Sequence, residues 1–185
     1  MKLSSSVISS PAPAPVASQW LLPGTIQLYI CPIRGGTMVA STGDVIAQAL
    51  RVAGQGTPVL VVQFLKGGIQ QGPQSLIQMG RYLEWVRCNL SRHVDSPHVE
   101  PEEQAAIQEL WQFTQEAVAS GRYGLVVLDE LSLAMKFGLI PEAEVLNMLH
   151  QRPTPLDVII TGTDMPESLL ALADVITHQV VRPAA

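Results

Sequence analysis

Two apolar segments constrain the fold of this chain more than any other feature of its sequence. They are TPVLVVQFL (residues 57–65) and YGLVVLDEL (residues 123–131). A strand with one face in water alternates apolar and polar side chains, whereas a strand that is apolar on both faces is covered on both sides. The two segments therefore predict buried strands of a parallel sheet that carries helices on both of its faces.

The rest of the chain alternates between strand and helix patterns. DVIAQALRVAG (residues 44–54) has apolar residues at helical spacing and a glycine where a helix would end. Another helix is predicted from Glu102 to about Ser120, since a proline and acidic residues favour a helix N-terminus. Further strands are predicted at IQLYI, RYLEWVRCN, VIITGT and ADVITHQVV, and further helices at Pro141 and from Met165 to Ala173. This alternation predicts an α/β fold, a three-layer sandwich with a mostly parallel sheet.

The charge and the cysteine content of the chain limit which binding partners and which cellular compartment are expected. A net charge of −5, with three lysines among 185 residues, argues against a nucleic-acid-binding surface. No apolar run approaches the roughly 18 residues that crossing a membrane requires. Cys31 and Cys88 lie far apart and form neither a CxxC nor a metal-binding pattern. They are predicted to be small buried or half-buried thiols of a cytoplasmic protein.

The first 24 residues differ in composition from the remainder. They are rich in Ser, Pro and Ala, and their proline spacing disfavours both helix and sheet. We therefore predict a flexible leader over residues 1–24. Residues 25–185 are predicted to form a single domain, because one hydrophobic core typically serves about 100–200 residues.

Chemically distinctive residues follow the predicted strands. In parallel α/β sheets, ligands bind at the carboxyl ends of the strands. The residues expected there are Gly35 and Gly36 after the first strand, Lys66 after the second, Asp129 and Glu130 at the end of the third, and Thr161 at the end of the fourth. Two carboxylates that follow an apolar strand suit Mg²⁺, which takes oxygen ligands directly or through water. The alternative is a helix N-terminus, which also favours acidic side chains.

Several of these segments also occur in order and at characteristic distances. They are ALRVAGQGTPVLVVQFLKG, the aromatic residues of YLEW, LWQFTQEAVASGRYGLVVLDELSLAMKFGLIP, and the run from Arg152-Pro153 through VIITG to ADVIT. Over roughly residues 26–177 the chain thereby resembles the P-loop branch of the ATP:corrinoid adenosyltransferases of cobalamin synthesis. The resemblance implies a P-loop NTPase-like fold and transfer of the 5′-deoxyadenosyl group of ATP to a cobalt(I) corrinoid. ATP and the corrinoid are then substrates, and Mg²⁺ is the cofactor.

The resemblance also implies roles for individual residues. Asp129 and Glu130 would be the catalytic carboxylates that hold Mg²⁺, Lys66 would lie near the nucleotide, and Trp85 would lie against the corrinoid. The alternative for Trp85 is core packing, and the alternative for Lys66 is a solvated loop lysine. Members of the family also imply two protein partners, a corrinoid reductase and a second copy of the chain in a homodimer.

The segment before the first predicted helix departs from the family's phosphate loop, which reads G-D/N-G-K-G-K-T-T. Alignment back from ALRVAG places Gly36 on the first glycine, Ser41 on the lysine and Thr42 on the threonine that contacts magnesium. Alignment forward from IQLYI places Gly36 on the lysine position instead. The two registers differ by five residues, and neither retains the lysine. The predicted nucleotide-binding residues are Gly35, Gly36, Ser41, Thr42 and Lys66, with Thr42 also predicted to contact magnesium.

The missing lysine leaves two functions open. Loss of a charge-assisted contact costs on the order of 1.5–3 kcal/mol of phosphate binding, which Arg34 in the same loop could offset in part. Thr163 stands where the family usually has an arginine, and the chain ends in VVRPAA instead of the family's lysine-histidine-proline type of segment. The chain is therefore either an adenosyltransferase with a rebuilt loop and weakened activity, or a non-catalytic relative that binds a nucleotide, a corrinoid or a protein.

Overall fold

The structure, a computed structural model, describes residues 24–31, 33–34, 37–38, 42–68 and 71–179. The strands are β1 (Ile26–Ile30), β2 (Ile33–Arg34), β3 (Thr37–Met38), β4 (Val59–Gln63), β5 (Ile77–Met79), β6 (Leu83–Arg87), β7 (Leu125–Asp129), β8 (Asp157–Gly162) and β9 (Val175–His178). Seven of them form one sheet in the order β5-β6-β4-β7-β8-β1-β9, while β2 pairs with β3. Every neighbouring pair in the large sheet is parallel except β5 with β6.

Helices cover both faces of this sheet. They are α1 (Thr42–Gly54), α2 (Pro101–Ala119), α3 (Leu131–Lys136), α4 (Glu142–Gln151) and α5 (Glu167–Leu172), and a 3₁₀ turn spans Pro73–Ser75. Val45 and Ala49 of α1 share an apolar cluster with Val59 and Val61 of β4. The alternate β4 residues, Leu60 and Val62, belong to a cluster with residues of the other four helices. Because successive strand residues point to opposite faces, the predicted three-layer α/β sandwich is confirmed.

The apolar segments that predicted this architecture are its most buried strands. All five residues of β4 and all five of β7 are buried. The two strands pair side by side at the centre of the sheet, with Val59 opposite Leu125 and Gln63 opposite Asp129. A fully buried aliphatic side chain contributes about 1.5–3 kcal/mol by leaving water, so these two strands hold the three layers together.

The short elements β2, β3, β5 and α3 and the 3₁₀ turn were not predicted from the sequence. β5 is a three-residue antiparallel strand whose residues are all exposed, α3 is a six-residue helix that begins directly after Glu130, and β2 with β3 forms a two-residue ladder. Elements of this length are too short to show a hydrophobic period. Within the described residues, no helix combines the length and the apolarity that crossing a bilayer requires.

Gly162, the last residue of β8, lets α3 approach the sheet closely. A β-carbon at this position would lie 1.7 Å from Ser132 Oγ and 2.8 Å from Ser132 Cβ. We therefore expect Gly162→Ala to lower the free energy of unfolding by about 1–3 kcal/mol, as overpacking of a rigid core does. Urea denaturation measures this loss. The same substitution in a Ser132→Gly background should cost far less, and an equal cost in both backgrounds would contradict the contact.

Candidate functional site

The register of the central strands brings several polar residues, among them the predicted Asp129 and Thr161, to one edge of the sheet. Gln63 ends β4 and pairs with Asp129 at the end of β7 on one side and with Arg87 at the end of β6 on the other. Thr161 lies near the end of β8, the other neighbour of β7. Because these strands are parallel, their carboxyl ends form one continuous edge, as the sequence pattern predicted.

Asp129 is the centre of this edge. Its side chain is only 1% exposed. Its Oδ2 atom accepts hydrogen bonds from Lys66 Nζ and from Gln63 Nε2, both at 2.7 Å. Its Oδ1 atom accepts a hydrogen bond from the Thr161 hydroxyl, also at 2.7 Å. A buried carboxylate requires both a countercharge and donors for its oxygens, and this set supplies both.

Glu130 follows in an unusual backbone conformation. Its φ of 63° is in the left-handed region, and its N–H donates to Thr161 Oγ1 at 2.9 Å. Its Oε1 atom is 4.0 Å from Lys66 Nζ, and its buried Oε2 atom has no hydrogen-bond partner among the described residues. A left-handed non-glycine residue costs on the order of 1–3 kcal/mol and persists where the surroundings impose it. Backbone strain together with a buried carboxylate oxygen that lacks a donor points to a ligand position.

Burial raises the pKa of Glu130 to about 7. The neighbouring Asp129 carboxylate also raises this pKa, and the Lys66 ammonium lowers it. Without a bound cation, the native protein therefore holds a proton on Glu130 more tightly than the unfolded chain does.

This raised pKa predicts a dependence of stability on pH. Glu130 titrates near pH 7 in the native protein, against a usual value of 4.5. Its contribution to stability is therefore complete below pH 4.5 and is lost as the pH rises through 7. In chelator-treated buffer we expect the free energy of unfolding to fall by about 3 kcal/mol from this residue between pH 4.5 and 8. Urea denaturation of Glu130→Gln should lack this decline, and an identical decline in both proteins would contradict the assignment.

Lys66 is placed by the glycine that follows it. A β-carbon on Gly67 would lie 2.2 Å from the carbonyl oxygen of Arg92 and 2.6 Å from that of Leu90. Only glycine permits this close approach of two backbone segments. The turn after β4 is thereby held against the 88–92 segment, and the ammonium group of Lys66 reaches both carboxylates.

Gln63 connects the carboxylates to the edge of β6. Its Oε1 atom accepts hydrogen bonds from Trp85 Nε1 at 3.0 Å and from Arg87 Nε at 2.6 Å. The Arg87 guanidinium also lies over the Trp85 ring, with 5.6 Å between Cζ and the ring centroid. Trp85 is half-buried against the cluster beneath α1, so part of the ring packs in the interior and part remains accessible.

The structure brings some of the predicted site residues together and does not describe the others. Asp129, Glu130 and Lys66 come together, and Trp85 is one hydrogen-bonded residue away from them, through Gln63. Thr42 is the first residue of α1, and its side chain lies outside what the structure describes. Gly35, Gly36 and Ser41 are outside the described residues altogether, so the predicted phosphate loop stays a prediction.

Arg87 and the bridging role of Gln63 were missed by sequence reasoning. Gln63 lies in the predicted strand TPVLVVQFL, but nothing in one sequence shows that its side chain faces Asp129. That direction follows from the β4–β7 register. For Arg87 a usable signal existed, because Trp85 and Arg87 are two residues apart and therefore share one face of a strand.

Two hydroxyls near this edge also lack partners. Ser132 Oγ and Thr163 Oγ1 are buried without a hydrogen-bond partner in the described part of the chain. The described residues contain no group of three or more His, Cys, Asp and Glu side chains that could hold a metal ion. Any cation at this edge would therefore depend on the Asp129–Glu130 pair together with hydroxyl, water or ligand oxygens.

The residues that match known proteins include all strands of the sheet and the edge described above. The family model described as ATP:corrinoid adenosyltransferase BtuR/CobO/CobP matches residues 24–182. The corrinoid adenosyltransferase of Escherichia coli K12 is 31% identical over 77% of this chain and 72% of its own length. That of Pseudomonas aeruginosa PAO1 is 29% identical over 79% of this chain and 72% of its own length. An uncharacterized protein of Nostoc is 28% identical over 88% of this chain and 44% of its own length.

Proposed function

Because the chain belongs to the ATP:corrinoid adenosyltransferase family, we propose that it transfers the 5′-deoxyadenosyl group of ATP to the cobalt(I) ion of a corrinoid. The observation that carries the proposal is the cluster of Lys66, Asp129 and Glu130 at the carboxyl ends of the strands. A half-buried lysine beside two buried carboxylates suits a site where a polyanion and its counterion are bound.

The reaction is a displacement at carbon. The electron pair of cobalt(I) attacks C5′ of the ribose, the cobalt–carbon bond forms, and the C5′–oxygen bond breaks. Triphosphate leaves with the electrons of that bond, and the cobalt becomes formally cobalt(III). The cobalt(I) state must be supplied beforehand by a corrinoid reductase or a chemical reductant. The protein's task is to align the two substrates and to stabilise charge on the leaving triphosphate.

Lys66 is the cation best placed for that charge among the described residues. Its Nζ atom lies 2.7 Å from Asp129 Oδ2 and 4.0 Å from Glu130 Oε1, so it is oriented before any substrate arrives. A preorganised cation stabilises developing negative charge without reorganisation. In this proposal Lys66 carries out part of the charge neutralisation that the family assigns to its loop lysine.

Glu130 fits a role in holding Mg²⁺. Its buried Oε2 atom has no donor among the described residues, and a carboxylate oxygen of this kind is a preferred ligand of the ion. Asp129 has hydrogen bonds on both oxygens, so it would act mainly by fixing Lys66 and the turn that carries Glu130. Thr42, at the start of α1, is the proposed hydroxyl ligand. Bound Mg²⁺ would supply further neutralisation of the triphosphate.

Trp85 is proposed to contact the corrinoid. The ring is half-buried and held by its N–H bond to Gln63, so its accessible part has a defined orientation. A flat macrocycle packs well on such a surface. The reductase partner, the homodimer and the cytoplasmic location implied by the family belong to the same proposal.

Formation of the cobalt–carbon bond tests the function directly. The purified chain is mixed with MgATP and a corrinoid that has been reduced chemically to cobalt(I), and the photolabile product is followed by its absorbance. We expect product and triphosphate in equal amounts, with no product when ATP or Mg²⁺ is omitted. If no product forms while MgATP and the corrinoid both bind, the alternative of a non-catalytic binding protein is the correct one.

A further inference from the structure

Arg87 is a cation at the same sheet edge that no motif assigns. It ends β6, where its backbone pairs with Gln63 of β4, and its side chain is half-buried. Its Nε atom donates to Gln63 Oε1 at 2.6 Å. No hydrogen bond or ion pair joins its terminal nitrogens to any residue in the described ranges.

The surroundings hold the guanidinium in a fixed position. Gln63 has its amide oxygen toward two N–H donors, Trp85 Nε1 and Arg87 Nε, and its amide nitrogen toward the Asp129 carboxylate at 2.7 Å. The reverse orientation would place the NH₂ group against two donors and the oxygen against a carboxylate, so only one orientation satisfies all three partners. The Trp85 ring, 5.6 Å from the guanidinium carbon, restricts the plane of the group.

The two cations of this hydrogen-bonded network, Lys66 and Arg87, differ in whether a carboxylate is paired with them. Lys66 is paired with Asp129 at 2.7 Å, whereas Arg87 has no carboxylate within 4.0 Å among the described residues and reaches Asp129 only through the neutral Gln63 amide. A partly desolvated guanidinium without a counterion favours binding of an anion, and its planar array of N–H groups matches two oxygens of a phosphate.

We propose that the terminal nitrogens of Arg87 bind the triphosphate of the nucleotide, and that Gln63 is the positioning residue that holds the guanidinium for this contact. The inference rests on the proposed function, since that function brings a triphosphate to this edge. Arg87 then supplies a second cation beside Lys66 in a chain whose predicted phosphate loop has no lysine.

Inorganic tripolyphosphate tests this contact without any transfer chemistry. Its dissociation constant is measured by isothermal titration with the intact chain and with Arg87→Gln, Arg87→Lys and Arg81→Gln. Arg81 is the matched control, because it is exposed, lies over the Tyr82 ring at 5.4 Å, and precedes β6 at its opposite end. We expect Arg87→Gln to weaken binding by about 10- to 100-fold and Arg81→Gln to change it by less than about 2-fold.

Arg87→Lys retains the charge but loses the planar fork, so its affinity should lie between those of the intact chain and Arg87→Gln. Thermal melts of each variant show whether it is folded, and Arg87→Lys decides the question if Arg87→Gln is not. Equal affinities for Arg87→Gln and the intact chain, or no binding of tripolyphosphate to the intact chain at millimolar concentration, would overturn the proposal. So would weakened binding of cobinamide alone, which would assign Arg87 to the corrinoid.

The result is separable from the proposed function. If the intact chain binds tripolyphosphate through Arg87 but forms no cobalt–carbon bond, the anion contact stands and the transferase assignment fails. If adenosyl transfer proceeds normally in Arg87→Gln with unchanged tripolyphosphate affinity, the transferase assignment stands and the anion contact is refuted.

Discussion

Lys66→Met is expected to slow adenosyl transfer by about 100- to 1,000-fold, which is the usual effect of removing one preorganised group that stabilises transition-state charge. Lys66 lies between two buried carboxylates at the centre of the proposed site, and neither alignment of the predicted loop provides a lysine to replace it. The rate of adenosylcorrinoid formation at saturating MgATP measures the effect. Because the contribution is made mainly in the transition state, the rate constant should fall more than nucleotide affinity.

Lys136→Met is the matched control for this experiment. Lys136 also pairs with one aspartate, Asp164 at 2.5 Å, but both side chains are more than half exposed. Removing an exposed pair should leave the transfer rate within about 2-fold of the original. Lys66→Arg should retain intermediate activity, since it keeps the charge on a larger head group. A Lys66→Met variant that is folded and keeps half of the original rate would exclude Lys66 from the reaction.

Asp129→Ala is expected to cause the largest loss of stability, about 3–5 kcal/mol, because it opens a buried position and removes the 2.7 Å partner of Lys66, leaving the lysine only the more distant Glu130 carboxylate at 4.0 Å. The substitution removes the acceptor for Gln63, Lys66 and Thr161 at once. For a domain of this size the loss corresponds to a melting temperature roughly 10 °C lower. Calorimetry or urea denaturation at constant pH measures it.

Two further variants show whether the loss of stability comes from the Lys66–Asp129 pair or from the removal of any aspartate. Asp164→Ala removes an aspartate that is 60% exposed, and should change the free energy of unfolding by less than about 1 kcal/mol. Lys66→Met combined with Asp129→Ala should be more stable than the sum of the single losses predicts, because it also removes the cation that has lost its 2.7 Å partner. Strictly additive losses would show that Lys66 and Asp129 do not interact in solution.

The architecture was predictable from the chain alone because its evidence is local. The apolar runs around Val61 and Val127 require cover on both faces, and this requirement holds whatever their neighbours are. The same runs placed Lys66, Asp129 and Glu130 at the carboxyl ends of two strands and thus at one edge of the predicted parallel sheet. That the two strands are direct neighbours was decided by the β4–β7 pairing. The family could be recognised for a related reason, since its motifs are short segments whose order and spacing survive in one sequence.

The details of the site depend on contacts between residues that are distant in sequence. Gln63 acquires its role only from the register that sets it between Arg87 and Asp129, and no property of QFLKG specifies that register. The raised pKa of Glu130 arises from burial beneath neighbouring elements. In the sequence, nothing distinguishes Arg87 from any other arginine in a strand. Only the pairing of β6 with β4 shows that it lies at the same edge as Lys66. Periodicity along the chain thus determines which elements form and which edge carries the polar residues, whereas strand pairing and packing determine which side chains meet, because hydrogen bonds and burial depend on distance in space.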